Sequence, residues 1–238
     1  MDEINTLTDN LSTSYSNLYE MKLETKRSEL AHLRSQINPH FLYNTLESIK
    51  GIAVQENVRC IATIANALGN MFRYSIKGSD MVPLRDEIKI IESYILIQKI
   101  RFEDRFEVTY EFDPAILDWI IPKMILQPLV ENAVFHGLEK IMSSGHLRIG
   151  GAVEKDMHML LWVQDDGYGM TPEELGKVRA SLERSQGQDD SKGGIGLGNV
   201  NHRIRLLFGE DYGIDIQSSR DMGTRVEIRI PKTEEANS

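Results

Sequence analysis

The chain has 238 residues, 41% hydrophobic and 26% charged, enough to bury a core in one or two domains, and its formal net charge is −9. That acidic balance, with no basic stripe interleaved with aromatics, argues against nucleic acid or an anionic membrane surface as a partner. A lone Cys60 excludes an internal disulfide framework and cysteine-rich zinc patterns, and no apolar run reaches the length of a membrane span, so a cytoplasmic location is expected.

Up to about residue 80 the composition is helical, with Pro39 as its one proline and Gly51, Gly69 and Gly78 as its only glycines. Leu23, Leu30 and Ile37 recur every seven residues with Leu33 between them, and Leu11 and Leu18 form an earlier pair in another phase, the pattern of a coiled coil with a phase break. Pro39 falls inside this run, where it deletes a backbone hydrogen bond, frees the Ser35 carbonyl and bends the turn that carries His40. A histidine set in such a turn is a candidate reactive group. In a second helix Ile61, Ile64, Ala65, Leu68, Met71, Phe72 and Ser75 follow the spacing of one buried face. A two-helix hairpin cannot cover its own apolar stripes, so pairing with a second copy into a four-helix bundle, a homodimer, is expected.

Gly78-Ser79-Asp80 breaks the chain into a helical unit, 1–80, and a second unit, 81–238. Val82 to Glu87 opens a new helix whose first turn carries acids, as the macrodipole favours. Phe106, Val108, Tyr110 and Phe112 alternate with polar residues and predict a strand with one apolar face. Further strands are predicted at 146–153, 157–165, 212–218 and 224–230, with helices near 122–139, 172–184 and 199–208, a mixture that implies an α/β sandwich. The polar, glycine-rich stretch 185–194 reads as a mobile loop.

Three segments of the second unit carry chemistry. They are Gln127-Pro128-Leu129-Val130-Glu131-Asn132-Ala133-Val134-Phe135-His136-Gly137, then Asp165-Asp166-Gly167-Tyr168-Gly169, then Gly193-Gly194-Ile195-Gly196-Leu197-Gly198-Asn199. Together they offer an amide for a metal, a carboxylate for an adenine amine, and glycines that let backbone amides approach phosphates. Gly194, Gly196 and Gly198 are predicted to precede a helix that begins near Asn199, whose amides would hold phosphate. No strand leads into them, so the spacing is not a dinucleotide-binding fingerprint.

With these residues on the page, the chain resembles the LytS/YesM-type sensor histidine kinases. The Asn-Pro-His-Phe-Leu-Tyr-Asn string at 38–44 resembles their phosphoacceptor motif, and the three later segments resemble the N, G1 and G2 boxes of the Bergerat (GHKL) ATPase fold. The resemblance covers both units. It implies a helical hairpin, dimerising into a four-helix bundle, followed by an α/β sandwich of the Bergerat type. It also implies ATP and Mg²⁺, autophosphorylation of His40, transfer to an aspartate of a response regulator, and membrane anchoring by segments outside this chain.

The resemblance assigns His40 as the phosphoryl acceptor. Many histidine kinases carry an acid directly after the histidine, where this chain has Phe41, so the orienting group is sought one and two turns on, in Asn44 as a polar neighbour and Glu47 as a base. The plainer reading makes Asn44 a bundle-core residue and Glu47 a solvated one. Asn132 resembles the Mg²⁺ ligand, and Glu131 could stand in for the acid that relatives carry at the place of Pro128, although it points about 100° away around an ideal helix. His136 is a candidate phosphate contact or a helix cap, and Phe135 stands where related sequences often have lysine. Asp165 resembles the acceptor of the adenine amino group, with Gly167 and Gly169 giving a tight turn against the base. Lys192 and Arg203 are candidate phosphate contacts, and Thr224 resembles a late position near the nucleotide. Pro128 and Phe135 leave room for a non-catalytic dimeric scaffold or another GHKL-type ATPase, but neither explains His40.

Overall fold

The computed structural model describes residues 39–103, 105–139, 144–154, 158–183 and 195–233. The predicted coil, the Ser35 carbonyl and hence the bend at Pro39, and the loop with Lys192 and Gly194, lie outside them. Helices α1 (Pro39–Gln55) and α2 (Arg59–Ile76) form an antiparallel hairpin in which Lys50 Nζ donates to Asn66 Oδ1 at 2.9 Å. The turn between them has a simple cause. Asn57 takes φ 59°, a left-handed conformation that asparagine tolerates, while the Asn57 and Val58 amides return to the Val54 and Ala53 carbonyls, closing α1 with a Schellman cap.

The predicted buried stripe of α2 is only partly covered within one chain. Ala65 is buried and Ile64, Met71 and Phe72 are half-buried, but Ile61, Leu68 and Ser75 are exposed, as are Phe41, Ile49 and Ile52 of α1. Among the described residues no helix is long and apolar enough to cross a membrane.

Strand β1 (Met81–Pro83) precedes helix α3 (Leu84–Arg101) and pairs antiparallel with β3 (Ile120–Pro122). The sequence predicts a helix entered at Val82 and another from near residue 122, so β1 replaces the first entry and β3, apart from Pro122, falls where no element is predicted; their pairing satisfies backbone groups that neighbouring prolines keep out of a helix. The remaining strands, β2 (Phe106–Phe112), β4 (Gly145–Glu154), β5 (His158–Asp165), β6 (Gly213–Ser219) and β7 (Gly223–Pro231), make one sheet in the order β2-β4-β5-β7-β6. β2 and β4 are parallel and the other pairs antiparallel. At the β2 edge Tyr110 is exposed, so the predicted apolar face is buried fully only at Phe106.

Along β5 the buried Met159, Leu161 and Val163 alternate with half-buried neighbours, and they join one core with Leu129, Val130, Leu197 and Ile204 from the helices. Those helices are α4 (Gln127–Asn132), α5 (Pro172–Glu183) and α6 (Ile195–Phe208). A capping box starts α5: the Thr171 amide donates to Glu174 Oε2 at 2.8 Å and the Glu174 amide to Thr171 Oγ1 at 3.3 Å. Asn201, fully buried in α6, donates to the Leu182 carbonyl and accepts from the Ile214 amide, both at 2.8 Å, which ties α5, α6 and β6 together. The result is a helical hairpin followed by an α/β sandwich, the architecture that the resemblance to the Bergerat fold implies.

Candidate active site

A cleft of about 430 Å³ opens between the sheet and the helices, lined on its apolar walls by Leu129, Val163, Leu197 and Val226. Asn132, His136, Asp165, Gly169 and Thr224, all singled out from sequence, line it as well. Asn132 ends α4, and its side-chain nitrogen donates to the Pro128 carbonyl at 2.8 Å, so its oxygen is the atom left to meet a cation. The chain then widens into a π-helical turn, Ala133–Leu138, which exposes Phe135 and His136 and backs Gly137 against Asp165.

Asp165 closes β5 and is 4% exposed. Burial pushes its carboxyl up to about 6, against the lowering effect of the Gly167 and Thr224 amides; Gly167 N–H reaches Oδ1 at 2.9 Å. A β-carbon on Gly167 would run into the Gly137 backbone, so the two glycines permit the contact that places the carboxylate. Gly169 takes φ 59° and packs on the β6–β7 turn, which clips on through Asp221 N–H to the Tyr168 carbonyl (2.8 Å) and Met170 N–H to Ser218 Oγ (2.9 Å).

That turn brings in residues the sequence reading passed over. Arg220 lines the cleft with its guanidinium 5.2 Å from the Tyr168 ring, and Glu174 joins them. Tyr168 sat inside a motif already noticed, whereas nothing near Arg220 in the chain marks it. Other placements correct the expectations. Helix α6 is already formed at Ile195, so Gly196 and Gly198 lie within it; Gly196 faces Pro128 and Asn132, while Gly198 faces the Ser181 carbonyl and Asn199 is exposed. Glu131 accepts from Gln127 Nε2 at 2.8 Å and is not in the cleft lining, as its offset around the helix requires. Arg203 is spent on main-chain carbonyls, Lys123 at 2.6 Å and Asp80 at 3.2 Å, and so is no phosphate contact here.

On the hairpin His40 is exposed, with its Nδ1 3.2 Å from Asn44 Nδ2. Glu47 pairs with Lys50 at 3.8 Å. In a continuous helix it stands roughly 10 Å along the axis from His40, too far to take a proton directly.

The histidine kinase family matches residues 28–106, and the histidine kinase-, DNA gyrase B- and HSP90-like ATPase family matches residues 118–234. Sensor histidine kinase YesM of Bacillus subtilis strain 168 is 40% identical over 213 residues, covering 89% of this chain and 35% of that protein. The chain belongs to the LytS/YesM-type sensor histidine kinases. Sensor histidine kinase BtsS of Escherichia coli strain K12 is 32% identical over 88% of this kinase chain and 34% of its own, so the chain spans about a third of the length of either relative. YwpD of Bacillus subtilis, an uncharacterized protein, is 33% identical over 90% of this chain and 74% of its own. The histidine kinase domain of a blue-light activated kinase from Erythrobacter litoralis EL346 superposes with a TM-score of 0.47 at 14% identity, covering 82% of this chain and 94% of that one.

Proposed function

We propose that this kinase core works as a homodimer that phosphorylates itself on His40 from ATP and passes the phosphoryl group to an aspartate of a separate response regulator. One observation carries the reading: a single cleft gathers Asn132, His136, Asp165 and Thr224 from separate segments, and the same chain presents an exposed His40 gripped at Nδ1 by Asn44. The helical unit 1–80 supplies the acceptor and the unit 81–238 the nucleotide site. Exposed Ile49, Ile52, Ile61 and Leu68 support dimerisation, because a second hairpin would cover them. In the intact protein this core would face the cytoplasm from an anchor in the bacterial plasma membrane.

At the base end, the Asp165 carboxylate accepts from the adenine amino group, whereas guanine would set a carbonyl oxygen against it. At the other end Asn132 Oδ1 suits a hard cation, and Mg²⁺ held there with phosphate oxygens would neutralise charge on the phosphates. His136, one turn on, stands ready for a phosphate oxygen. An amide can serve an imidazole from either end. Its nitrogen meets an Nδ1 lone pair; turned over, its oxygen accepts an Nδ1 proton and the lone pair then lies on Nε2, where we place the attack. The Nε2–P bond forms as the bond from γ-phosphorus to the bridging oxygen breaks, and ADP leaves with that electron pair.

Incubation with γ-labelled ATP and Mg²⁺ tests the proposal. Acid-labile, base-stable label on the wild type and none on His40→Gln is the expected result; acid-stable label, or label that survives the substitution, refutes it.

A further inference from the structure

The hairpin and the α/β lobe meet where α2 ends, and there the fold buries a carboxylate. Glu87, in the first turn of α3, is 0% exposed. Its Oε2 accepts from two directions at once: from the Tyr74 hydroxyl, near the end of α2, at 3.0 Å, and from the Met124 amide, in the segment that leads into α4, at 2.6 Å. Packing alone would be served more cheaply by an apolar side chain, since a buried acid forfeits its hydration. Met124 adopts φ 59°, a conformation costly for a residue with a side chain, and this conformation accompanies the aim of its N–H at Glu87. Burial beside the carboxylate pushes the Tyr74 phenol above its ordinary value, so the hydroxyl stays protonated and donates.

Other contacts at the junction converge on the same two-residue segment. Lys123 Nζ donates to the Lys77 carbonyl at 2.7 Å and lies 4.7 Å from the centre of the Tyr74 ring; the Lys123 amide donates to the Asp80 carbonyl at 2.9 Å. Arg203 then braces the Lys123 and Asp80 carbonyls from α6. Each end of this junction leads to a reacting group. Three residues past Met124 begins α4, which ends at Asn132 in the cleft. Next to Tyr74, the Arg73 guanidinium sits 4.4 Å from the centre of the Tyr43 ring, one turn of α1 from His40.

We infer that Glu87 is a positioning residue for phosphoryl transfer: by holding Tyr74 of the hairpin and Met124 of the nucleotide lobe on one carboxylate oxygen, it ties the nucleotide cleft to the helix that carries His40. The inference rests on the reading that ATP fills the cleft and His40 accepts the phosphoryl group. It assigns binding and transfer to separable parts, because Tyr74 does not line the nucleotide cleft.

Tyr74→Phe removes one hydroxyl from the hairpin side and leaves the Glu87–Met124 contact in place. At saturating ATP it is expected to slow His40 labelling about tenfold, the scale of one lost hydrogen bond to a charged acceptor, while ATP affinity stays within about twofold. Glu87→Ala is expected to lose the rate in the same way and Glu87→Gln, which keeps an acceptor for the Met124 amide, to recover most of it. Hydrogen exchange on the same proteins decides the point without chemistry. In the wild type, ATP slows exchange both at 129–137 and at 70–77; in Tyr74→Phe the protection at 129–137 remains and that at 70–77 is lost. A wild-type rate in Tyr74→Phe, or a matched fall in affinity and rate, or no ATP-dependent protection at 70–77 in the wild type, overturns the inference. If 129–137 gains no protection either, the nucleotide reading itself has failed and the inference falls with it.

Discussion

Gly137 lies so close to Asp165 that a β-carbon on it would stand 2.6 Å from the carboxylate carbon Cγ. The π-helical turn can therefore back onto the acid only as long as position 137 carries no side chain. Gly137→Ala is expected to displace Asp165, weaken ATP binding more than about tenfold and cost on the order of 1–3 kcal/mol of stability, as overpacking commonly does. Nucleotide titration beside denaturant unfolding checks both effects; unchanged ATP affinity would show that the close contact does not set the carboxylate.

Asp165 also makes nucleotide binding depend on pH. Its ordinary value of 3.8 is raised to about 6 by burial, so in the empty cleft the acid begins to take a proton as pH falls through about 6. On the proposed reading adenine is recognised by the ionised form, so ATP affinity should fall over that window. Asp165→Asn should flatten the dependence and narrow the preference for ATP over GTP, because an amide can donate to the guanine carbonyl. Competition titrations at pH 5.5 and pH 7.5 read both outcomes.

Glu87 gives a dependence of stability instead. Burial raises it from 4.5 to about 7, opposed by the Met124 amide, the Tyr74 hydroxyl and the nearby Arg203 and Lys123 charges. The folded value is the higher one, so the contribution of Glu87 is complete below about 4.5 and is lost as pH rises through about 7. Relative to Glu87→Gln, the wild type should lose roughly 3 kcal/mol at most across that window, the equivalent of the gap between the two values. Urea unfolding of both proteins at pH 5 and pH 8 measures it, and a difference that does not move with pH contradicts the assignment.

Much of the site was legible because its parts lie in short local strings. Asn132, Asp165, Gly169 and Thr224 do line one cleft, and the strand predicted at 157–165 ends on Asp165, as β5 does. What the string could not show was long-range. Asp86 and Glu87 read alike as acids favouring a helix start, yet Asp86 pairs with Lys89 at the surface and Glu87 is drawn inside by Tyr74 and Met124, which are distant in sequence. Arg203 looked like a phosphate contact because nothing nearby in the chain reveals the carbonyls it holds 80 and 123 residues away. Arg220 reaches the cleft only because the β6–β7 turn folds against Tyr168 and Met170. Three-residue strands such as β1 and β3 exist by virtue of each other, so neither has a periodicity to read.

The Asn44–His40 contact predicts a split between binding and rate. Asn44→Ala should leave ATP affinity unchanged and slow labelling at saturating ATP by at least about tenfold, while Asn44→Asp, which can accept an Nδ1 proton, should restore much of the rate. Glu47→Gln should stay within about twofold of the wild type, because a solvated pair such as Glu47–Lys50 contributes little. Single-turnover labelling of the three variants separates these outcomes.

The central claim is that phosphorus from ATP ends on one imidazole. Peptide mapping by mass spectrometry under alkaline conditions, after brief incubation of the whole chain with Mg²⁺ and ATP, tests it most directly. The account predicts a single phosphorylated peptide with the modification on His40; a phosphoryl group found on a serine, threonine or other histidine, with His40 unmodified, would contradict it.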